Sequence, residues 1–444
     1  MKLHLKTQEI LTKDGVSFVI PFMLITSCFA LWGFANDMTA PIVKAFSKIF
    51  RMSVTEGSMV QVAYYLGYFA MAFPAALFIQ RYSFKAGVLM GLSLFAVGSL
   101  MFIPAKMIGY YVPFLLAYFV LTCGVAFLET SCNPFIYRMG SEETATQRLN
   151  LAQSFNPMGA LLGMYVAMDY VQARMNPLTS VQRFDLSDAQ YNLIKDSDLN
   201  VLIQPYLVLG VVSVMLLILV RIVRMPSDSD TRTSKKLRVA IQELMKVKNY
   251  RQGVLAQFFY VGAQVACWTF IIQYGTRIFM AEGMDEKTAE ILSQKYNILA
   301  LVLFTVFRFV CTFFLRYIQP GRLLSILAIC AIAFTAGAML FPDRNGIYCI
   351  VAISACMSLM FPTIYGIALR GVGDNVKVAG AGLIMAILGG SIFPPIQAII
   401  IDLNFSFLGI SSTHLSFIVP LVCFVVVAVY GHKAYVRHVI WKVE

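Results

Sequence analysis

The chain has 444 residues, of which 59% are hydrophobic and 13% are charged, and its mean hydropathy is +0.74. Because soluble proteins carry about 25% charged residues, this composition excludes an ordinary soluble protein and predicts one that crosses a lipid bilayer several times. The net charge of +12 would suit a nucleic-acid partner. The basic residues cluster instead in short segments between apolar runs, so we expect no such partner.

The cysteines and histidines do not indicate a metal site, a cofactor or a disulfide framework. Most of the nine cysteines lie inside apolar runs and no CxxC pair occurs, which is typical of small buried thiols. The histidines all lie near predicted helix ends or the termini: His4, His414, His432 and His438. We therefore expect no metal or cofactor, and no histidine is placed to ligate a metal inside the membrane.

Apolar runs of about 20 residues, the length that crosses a bilayer, predict twelve transmembrane helices. Such solid runs favour helices over strands, so the predicted fold class is all-α, a polytopic membrane protein. The runs occupy residues 15–36, 57–80, 86–105, 107–128, 149–168, 199–220, 252–276, 296–307, 323–342, 345–369, 378–401 and 403–432. The eighth is short only because Arg308 interrupts it before residues 309–315.

An even number of helices places both termini on the same side of the membrane. With that side taken as the cytoplasm, most lysines and arginines fall in the inner segments, as the positive-inside rule requires. The run after the basic residues 1–14 is too long for a signal-peptide core, so we expect the first helix to stay uncleaved. The longest outer loop, residues 171–200, is expected to be solvated spacer or a cap on the outer mouth.

A polar segment divides the chain into two halves of six helices. The predicted domains are an N-terminal bundle, residues 1–223, a cytoplasmic linker, residues 224–250, and a C-terminal bundle, residues 251–444. Within the linker, residues 238–248 are predicted to form a short amphipathic helix on the inner membrane surface.

The halves also resemble each other weakly. Pro134-Phe-Ile-Tyr137 in the fourth helix recurs as Pro362-Thr-Ile-Tyr365 in the tenth, and the inner turn that begins Arg81-Tyr recurs as Arg316-Tyr. Both offsets are close to half the chain. This pattern favours a six-plus-six duplication of the transporter type, with a substrate site near the midplane between the halves.

Three charged residues are predicted to lie deep in the membrane. Glu129 comes nine residues before Arg138, which marks the inner end of the fourth helix. At about 1.5 Å per residue this is ~13 Å, close to the middle of a ~30 Å hydrocarbon core. Arg308 lies at a similar depth by the same reasoning. Asp37 lies in the outer half of the first helix, seven residues before Lys44.

A charge at that depth costs about 3 kcal/mol on insertion scales and usually has a function. Two acids and one base permit one ion pair with one acid left over, and the leftover acid would carry a proton. We interpret Glu129 and Asp37 as proton-coupling residues. The alternative is a static salt bridge with a capped or snorkelling acid. Arg308 is interpreted as binding substrate or as holding helices together, and the sequence does not separate these two roles.

Polar and aromatic side chains also recur at helical spacing inside the apolar runs. Amides offer both donors and acceptors, as neighbouring sugar hydroxyls require, whereas a dicarboxylate or phosphate would require several cations. Polar contacts between helices are the alternative explanation. With Arg308, the predicted substrate-binding residues are Trp32, Asn36, Gln153, Asn156, Gln257, Tyr260, Gln264, Trp268 and Asn297.

These residues lie in motifs that resemble the major facilitator superfamily and, within it, the bacterial L-fucose/proton symporter family. The resemblance covers nearly the whole chain. Its most specific pieces are Leu128-Glu-Thr-Ser-Cys-Asn-Pro-Phe135, Arg148-Leu-Asn-Leu-Ala-Gln-Ser-Phe-Asn156 and Val254-Leu-Ala-Gln-Phe-Phe-Tyr-Val-Gly-Ala-Gln-Val-Ala-Cys-Trp268. Asn36-Asp37-Met-Thr-Ala-Pro41 also fits the family's first helix.

The resemblance implies the major facilitator fold, with two six-helix bundles, in a bacterial inner membrane. It implies that Glu129 and Asp37 couple protons to sugar, that Gln153 and Asn156 line the sugar cavity and that Trp32 lies near it. Asp37 departs from the family spacing by about one helical turn, and Ala40 takes the acid's place if the sequences are matched without a gap.

Two further departures from the family are visible in the sequence. Phe361 stands where a tyrosine is expected before the proline of the tenth helix, which removes one hydroxyl from the cavity. The superfamily signature between the second and third helices is reduced to Arg81-Tyr-Ser-Phe-Lys85. The substrate is therefore expected to be L-fucose or a related sugar.

The sequence thus predicts a secondary active transporter that imports L-fucose or a closely related hexose with protons, by alternating access, as a monomer. Rival transporters are a sodium-coupled glucose/galactose-type carrier and a drug exporter, although an exporter would favour a more apolar cavity. A sensor would need a sizeable soluble output domain, and no segment is long enough. An enzyme would need a nucleophile–base pair or metal ligands at depth. Because no histidine lies there, we expect no enzymatic activity.

Overall fold

The computed structural model describes residues 12–13, 16–52, 56, 59–178, 180–225, 237–403, 405–407 and 410–441. Nearly all of them are helical. The exceptions include two short antiparallel hairpins, β1 Thr12–Lys13 with β2 Val16–Ser17, and β3 Ser406–Phe407 with β4 Ile410–Ser411. The predicted linker residues 226–236 lie outside the described part of the chain.

The chain divides into two compact units, each with its own packing. Unit A comprises Leu11–Met139 and Phe155–Lys235, and unit B comprises Gly140–Ser154 and Lys236–Glu444. The ends of the two six-helix bundles expected from the sequence, at residues 223 and 251, stay a prediction.

Unit A is built mainly from long apolar helices. Its helices are α1 Val19–Ile49, α2 Met59–Arg81, α3 Phe84–Leu100, α4 Phe102–Ile108, α5 Tyr111–Arg138, α7 Phe155–Tyr165, a π-helical turn Val166–Gln172, α8 Ser180–Phe184 and α9 Asp188–Ile222. The α5 helix is buried along most of its length, since it packs against both α2 and α3.

Unit B has the same character. Its helices are α6 Ala145–Gln153, α10 Leu237–Lys246, α11 Lys248–Ala281, α12 Glu286–Phe314, α13 Pro320–Leu340, α14 Arg344–Met357, α15 Met360–Ala368, α16 Val376–Met385, α17 Gly389–Asp402, α18 Ser412–Leu415 and α19 Ile418–Trp441. Single 3₁₀ turns precede α16 and α17. The core of unit B is formed by apolar side chains from α11 to α15 and α19.

Each of the twelve predicted spans corresponds to a helix or to a helix with an interruption. In the described part of the chain, ten spans are long and apolar enough to cross a membrane. The second predicted span corresponds to α2, and the fifth is interrupted at Ser154, between α6 and α7. The all-α prediction is therefore confirmed, and the short predicted amphipathic segment appears as α10.

Polar N-caps begin several helices. The Ser187 hydroxyl accepts a hydrogen bond from the Gln190 amide, which makes a capping box at the start of α9. Asp285 caps α12, and Gln319 caps α13 just before Pro320 at its first position. These side chains satisfy amide donors that the helix itself leaves unpaired.

Glycines let α1 and α7 approach each other backbone to backbone. A Cβ atom on Gly33 would overlap the carbonyl oxygen of Asn156, and one on Gly159 would overlap that of Ala30. Gly163 faces Phe34 in the same way. Small residues at helix contacts are the usual means of close packing in membranes. This contact fixes the register of α1 on α7.

In the predicted outer loop, residues 171–200, most of the described residues are helical, and many of their side chains are exposed. The α9 helix begins at Asp188, well before the predicted span. The Arg183 guanidinium lies 2.6 Å from the Asp198 carboxylate, and both side chains are buried. Asp198 also accepts a hydrogen bond of 2.8 Å from the backbone N–H of Asn176. This ion pair ties the segment to α9.

We expect Gly159→Ala to destabilise the protein by about 1–3 kcal/mol, since the added methyl group must displace backbone atoms of α1. Gly210→Ala is the matched control. Its Cβ would first meet the flexible Leu100 side chain at 2.9 Å, so we expect a change below about 1 kcal/mol. Thermal unfolding in detergent, followed by size-exclusion chromatography, measures both. Equal losses would contradict the close-contact account.

Asp198→Asn should cost about 3–5 kcal/mol, because it leaves the Arg183 cation buried without its counter-ion. The double variant Arg183→Met/Asp198→Leu removes both charges and should cost clearly less. Thermal unfolding again provides the measurement. A double variant as unstable as Asp198→Asn would show that the charges themselves are not the reason.

Candidate functional site

Glu129 lies on α5, nine residues before the end of the helix at Arg138, and α5 is buried along most of its length. Its carboxyl group is hydrogen-bonded to the side chain of Tyr68 on α2. Its Oε2 atom is buried and has no hydrogen-bond partner among the described residues. One turn further on, the Asn133 amide donates to the Glu129 backbone carbonyl at 3.0 Å. Among the described residues, the hydrogen bond to the carboxyl therefore comes from a neutral hydroxyl.

The α1 helix brings Trp32 and Asn156 together in unit A. The Trp32 side chain is 3% exposed, and its ring centroid lies 4.3 Å from that of Phe29. The Asn156 amide donates to the Phe29 carbonyl at 3.2 Å. These contacts depend on the glycine-mediated packing of α1 against α7 described above.

A thiol contact places α1 against α5 close to Glu129. The Cys28 and Cys132 side chains are hydrogen-bonded to each other, and Cys132 also interacts electrostatically with the Glu129 carboxyl group. Cys28 lies one turn before Trp32, and Cys132 lies one turn after Glu129. We define the carboxylate cluster as Glu129, Tyr68, Trp32 and Asn156.

The second acid, Asp37, lies more than one turn beyond Trp32 on α1. Its side chain is partly exposed and hydrogen-bonds with its neighbour Asn36, whose own side chain is exposed. No hydrogen bond between Asp37 and the carboxylate cluster is present among the described residues. Neither Asp37 nor Glu129 forms an ion pair within that part of the chain.

In unit B, the predicted stripe on α11 is partly buried. Gln257 is fully buried, and both polar atoms of its amide lack a hydrogen-bond partner in the described residues. The Tyr260 hydroxyl donates to the Met357 carbonyl at 3.0 Å. The indole N–H of Trp268 donates to the Ser354 hydroxyl at 3.1 Å, and its ring meets the Phe304 ring edge-on.

The remaining predicted residues of unit B are less constrained. Gln264 on α11 and Asn297 on α12 are both partly exposed. The Oδ1 atom of Asn297 is buried without a partner among the described residues. Both amides have polar atoms to offer a ligand that carries hydroxyl groups.

Arg308 on α12 is 4% exposed and bonds to backbone carbonyls rather than to an acid. Its Nε donates to the Ser358 carbonyl at 2.6 Å, and its Nη1 donates to the Gln153 carbonyl at 3.0 Å. No ion pair of Arg308 occurs among the described residues. The ion pair with a deep acid that the sequence suggested is therefore not seen there.

The Arg308 bond fixes the end of α6, where Gln153 is the last residue and is 5% exposed. One turn earlier, the Asn150 amide donates to the Thr363 hydroxyl on α15 at 3.1 Å. We define the amide cluster as Gln153, Gln257, Tyr260, Trp268 and Arg308. It combines neutral donors and acceptors with aromatic faces, the chemistry that suits a polyhydroxylated ligand.

Sequence reasoning missed two partners of the candidate residues. Tyr68 is absent from the predicted site residues, although a hydroxyl within an apolar run is a visible signal. Ser354, the partner of Trp268, lies in the apolar helix α14 and is also absent from the predicted site residues. Buried hydroxyls need partners, so both could have been flagged.

Comparison with known proteins places this arrangement in a family. Residues 25–395 match the Major Facilitator Superfamily. The chain is 42% identical to the L-fucose-proton symporter of Haemophilus influenzae, over 96% of this chain and 97% of that protein. It is 30% identical to a glucose/galactose transporter of Brucella abortus, over 92% of each.

Solved structures agree with the sequence comparison. A crystal structure of the Escherichia coli fucose:proton symporter aligns with a TM-score of 0.85 and 28% identity, covering 94% of this chain and 99% of that one. The helical fold, the interrupted spans and these similarities lead to one conclusion: the chain is a multi-pass membrane protein that belongs to the Major Facilitator Superfamily of transporters.

Proposed function

We propose that the protein is a secondary active transporter that imports L-fucose, or a closely related hexose, together with protons. The observation that carries the proposal is the Glu129 carboxyl, which is held by Tyr68 alone and has one buried oxygen without a partner among the described residues. The similarity to proteins named L-fucose-proton symporters supports the same substrate and the same coupling ion.

The carboxyl group is suited to proton coupling because it forms no ion pair among the described residues that would have to break when its charge changes. A charged carboxylate with an unsatisfied buried oxygen is costly in an apolar setting, and protonation removes that cost. Glu129 would take a proton from outside, the sugar-loaded protein would close, and opening inward would hydrate the carboxylate and release the proton. This sequence of steps is alternating access.

Sugar binding is assigned to the neutral polar residues. Gln257 and Asn297 have buried amide atoms without partners in the described chain, and sugar hydroxyls can donate to and accept from them. Trp32 in unit A and Trp268 in unit B are each proposed as an aromatic ring for a pyranose face. Gln153, Asn156, Gln264 and Asn36 complete the proposed set, and Asp37 would relay protons or bind sugar hydroxyls directly.

The location follows from charge and composition. We propose that the protein lies in a bacterial inner membrane with both termini in the cytoplasm, because this orientation places most basic residues inside. We further propose that it acts as a monomer without enzymatic activity.

A second candidate function is sodium-coupled transport of glucose or galactose. The 30% identity to a glucose/galactose transporter favours it. Replacing sodium by choline distinguishes the two, because uptake by a proton symporter should not change.

L-Fucose added to de-energised, weakly buffered cells that express the protein should produce a prompt alkaline shift of the external pH, because protons enter with the sugar. The shift should be absent with D-glucose. Glu129→Gln should abolish it and abolish uphill uptake, because the amide cannot exchange a proton, while sugar affinity stays within about threefold, since an amide keeps a similar shape and hydrogen-bonding capacity.

Tyr68→Phe serves as the control variant for that experiment. It removes the hydroxyl that holds Glu129 but keeps the carboxyl, so the alkaline shift should persist with an altered pH dependence. Proton-driven accumulation retained by Glu129→Gln would contradict the assignment of coupling to this residue. No shift with L-fucose, together with sodium-dependent uptake of glucose, would favour the second candidate.

The position of the outer acid can be tested by moving it. Asp37→Asn should reduce proton-driven uptake at least tenfold, and Asp37→Asn/Ala40→Asp should restore part of it, because three residues shift the acid by only ~4.5 Å along nearly the same helix face. Counterflow, which needs no proton gradient, should survive in Asp37→Asn if the acid relays protons. Uptake unchanged in Asp37→Asn would show that this acid takes no part.

A further inference from the structure

Two prolines follow the breaks at which the unit B helices α6 and α14 end. Pro157 follows the break between α6 and α7, and Pro362 follows the break between α14 and α15. In a regular helix, the N–H of residue i donates to the carbonyl of residue i−4. Proline has no N–H, so Pro157 cannot serve the Gln153 carbonyl, and Pro362 cannot serve the Ser358 carbonyl.

Arg308 donates to both of these carbonyls. Its Nη1 meets the Gln153 oxygen at 3.0 Å, and its Nε meets the Ser358 oxygen at 2.6 Å. One side chain therefore replaces the two helix hydrogen bonds that the two prolines remove. The Tyr260 hydroxyl donates a hydrogen bond to the adjacent Met357 carbonyl. Two side chains, those of Arg308 and Tyr260, therefore bond to the carbonyls at the end of α14.

The charge of Arg308 is compensated in the same place. Carbonyls at a helix C-terminus carry partial negative charge and favour a nearby cation. The guanidinium also lies 4.5 Å from the centroid of the Phe304 ring, an attractive cation–π arrangement. These partners explain why a buried arginine can lie here without an ion pair among the described residues.

We propose that Arg308 is a positioning residue, a clamp that joins the proline-broken ends of α6 and α14 and thereby fixes Gln153 for the substrate. It acts on the sugar through Gln153 rather than by direct contact. The effect on sugar binding rests on the function proposed above, whereas the clamp itself does not.

The experiment asks whether restoring the missing N–H groups makes Arg308 dispensable. Arg308→Gln should weaken L-fucose binding by about tenfold and lower the unfolding temperature, because it removes at least one bond to a buried carbonyl. In Pro157→Ala/Pro362→Ala, the helices supply their own donors. There the same Arg308→Gln change should weaken binding no more than about threefold, with a correspondingly smaller loss of unfolding temperature.

Two controls sharpen the result. Pro205→Ala removes a proline inside α9, four residues after the Val201 carbonyl, which Arg308 does not contact, so it should not relieve Arg308→Gln. Arg308→Lys, with one ammonium group in place of the planar fork, should fall between wild type and Arg308→Gln in the unaltered chain and should match wild type in the double-proline variant.

An equal loss from Arg308→Gln in both proline backgrounds would overturn the clamp and favour direct sugar contact. If Arg308→Gln does not fold, recovery of a folded protein in the double-proline variant supports the proposal, and failure to recover overturns it. If the wild type binds no L-fucose, the sugar proposal fails by itself, and the unfolding temperatures still decide the clamp.

Discussion

The constraint on which this structure depends is that every backbone polar group inside a bilayer needs a partner within the protein. Unbroken helices meet it by their own hydrogen bonds. At the breaks that precede Pro157 and Pro362 the prolines leave two carbonyls without a helix donor, and Arg308 donates to both, those of Gln153 and Ser358. The ends of broken helices carry candidate residues of the amide cluster because the breaks expose polar groups that a regular helix would consume.

The deep charged residues meet the same constraint in different ways. Arg183 and Asp198, which are buried outside the predicted spans, neutralise each other in an ion pair that joins α8 to α9. Arg308 is compensated by carbonyls and a ring. Glu129 has neither kind of partner among the described residues, only the Tyr68 hydroxyl. A charge that is already compensated gains little from titration, whereas an uncompensated carboxyl gains much. This difference is the reason why we propose Glu129, and not the other buried charges, as the proton carrier.

Much of the fold could be predicted from the sequence, because helix length and apolar composition are set by the bilayer and not by distant contacts. The deep position of Glu129 on its helix followed from the same spacing argument. The partners could not be predicted. Nothing in the spacing says that Tyr68 meets Glu129, that Trp268 meets Ser354 or that the 171–200 segment closes on a buried ion pair, since these contacts depend on how helices pack. The ion pair between Arg308 and a deep acid, which the sequence permitted, is absent among the described residues. Arg308 bonds instead to backbone carbonyls, which have no sequence signature apart from prolines four residues later.

The clamp also bears on which ligands the proposed cavity accepts. A buried cation without partners would attract a carboxylated sugar, because the carboxylate would lower the free-energy cost of burying the cation. The Arg308 charge is already compensated by helix ends, so a carboxylate would lose its hydration without gaining a full counter-charge. The polar atoms that remain available, such as those of Gln257, are neutral amides. Amide groups can donate hydrogen bonds to sugar hydroxyls and accept hydrogen bonds from them, and this favours a neutral sugar over its carboxylated derivative.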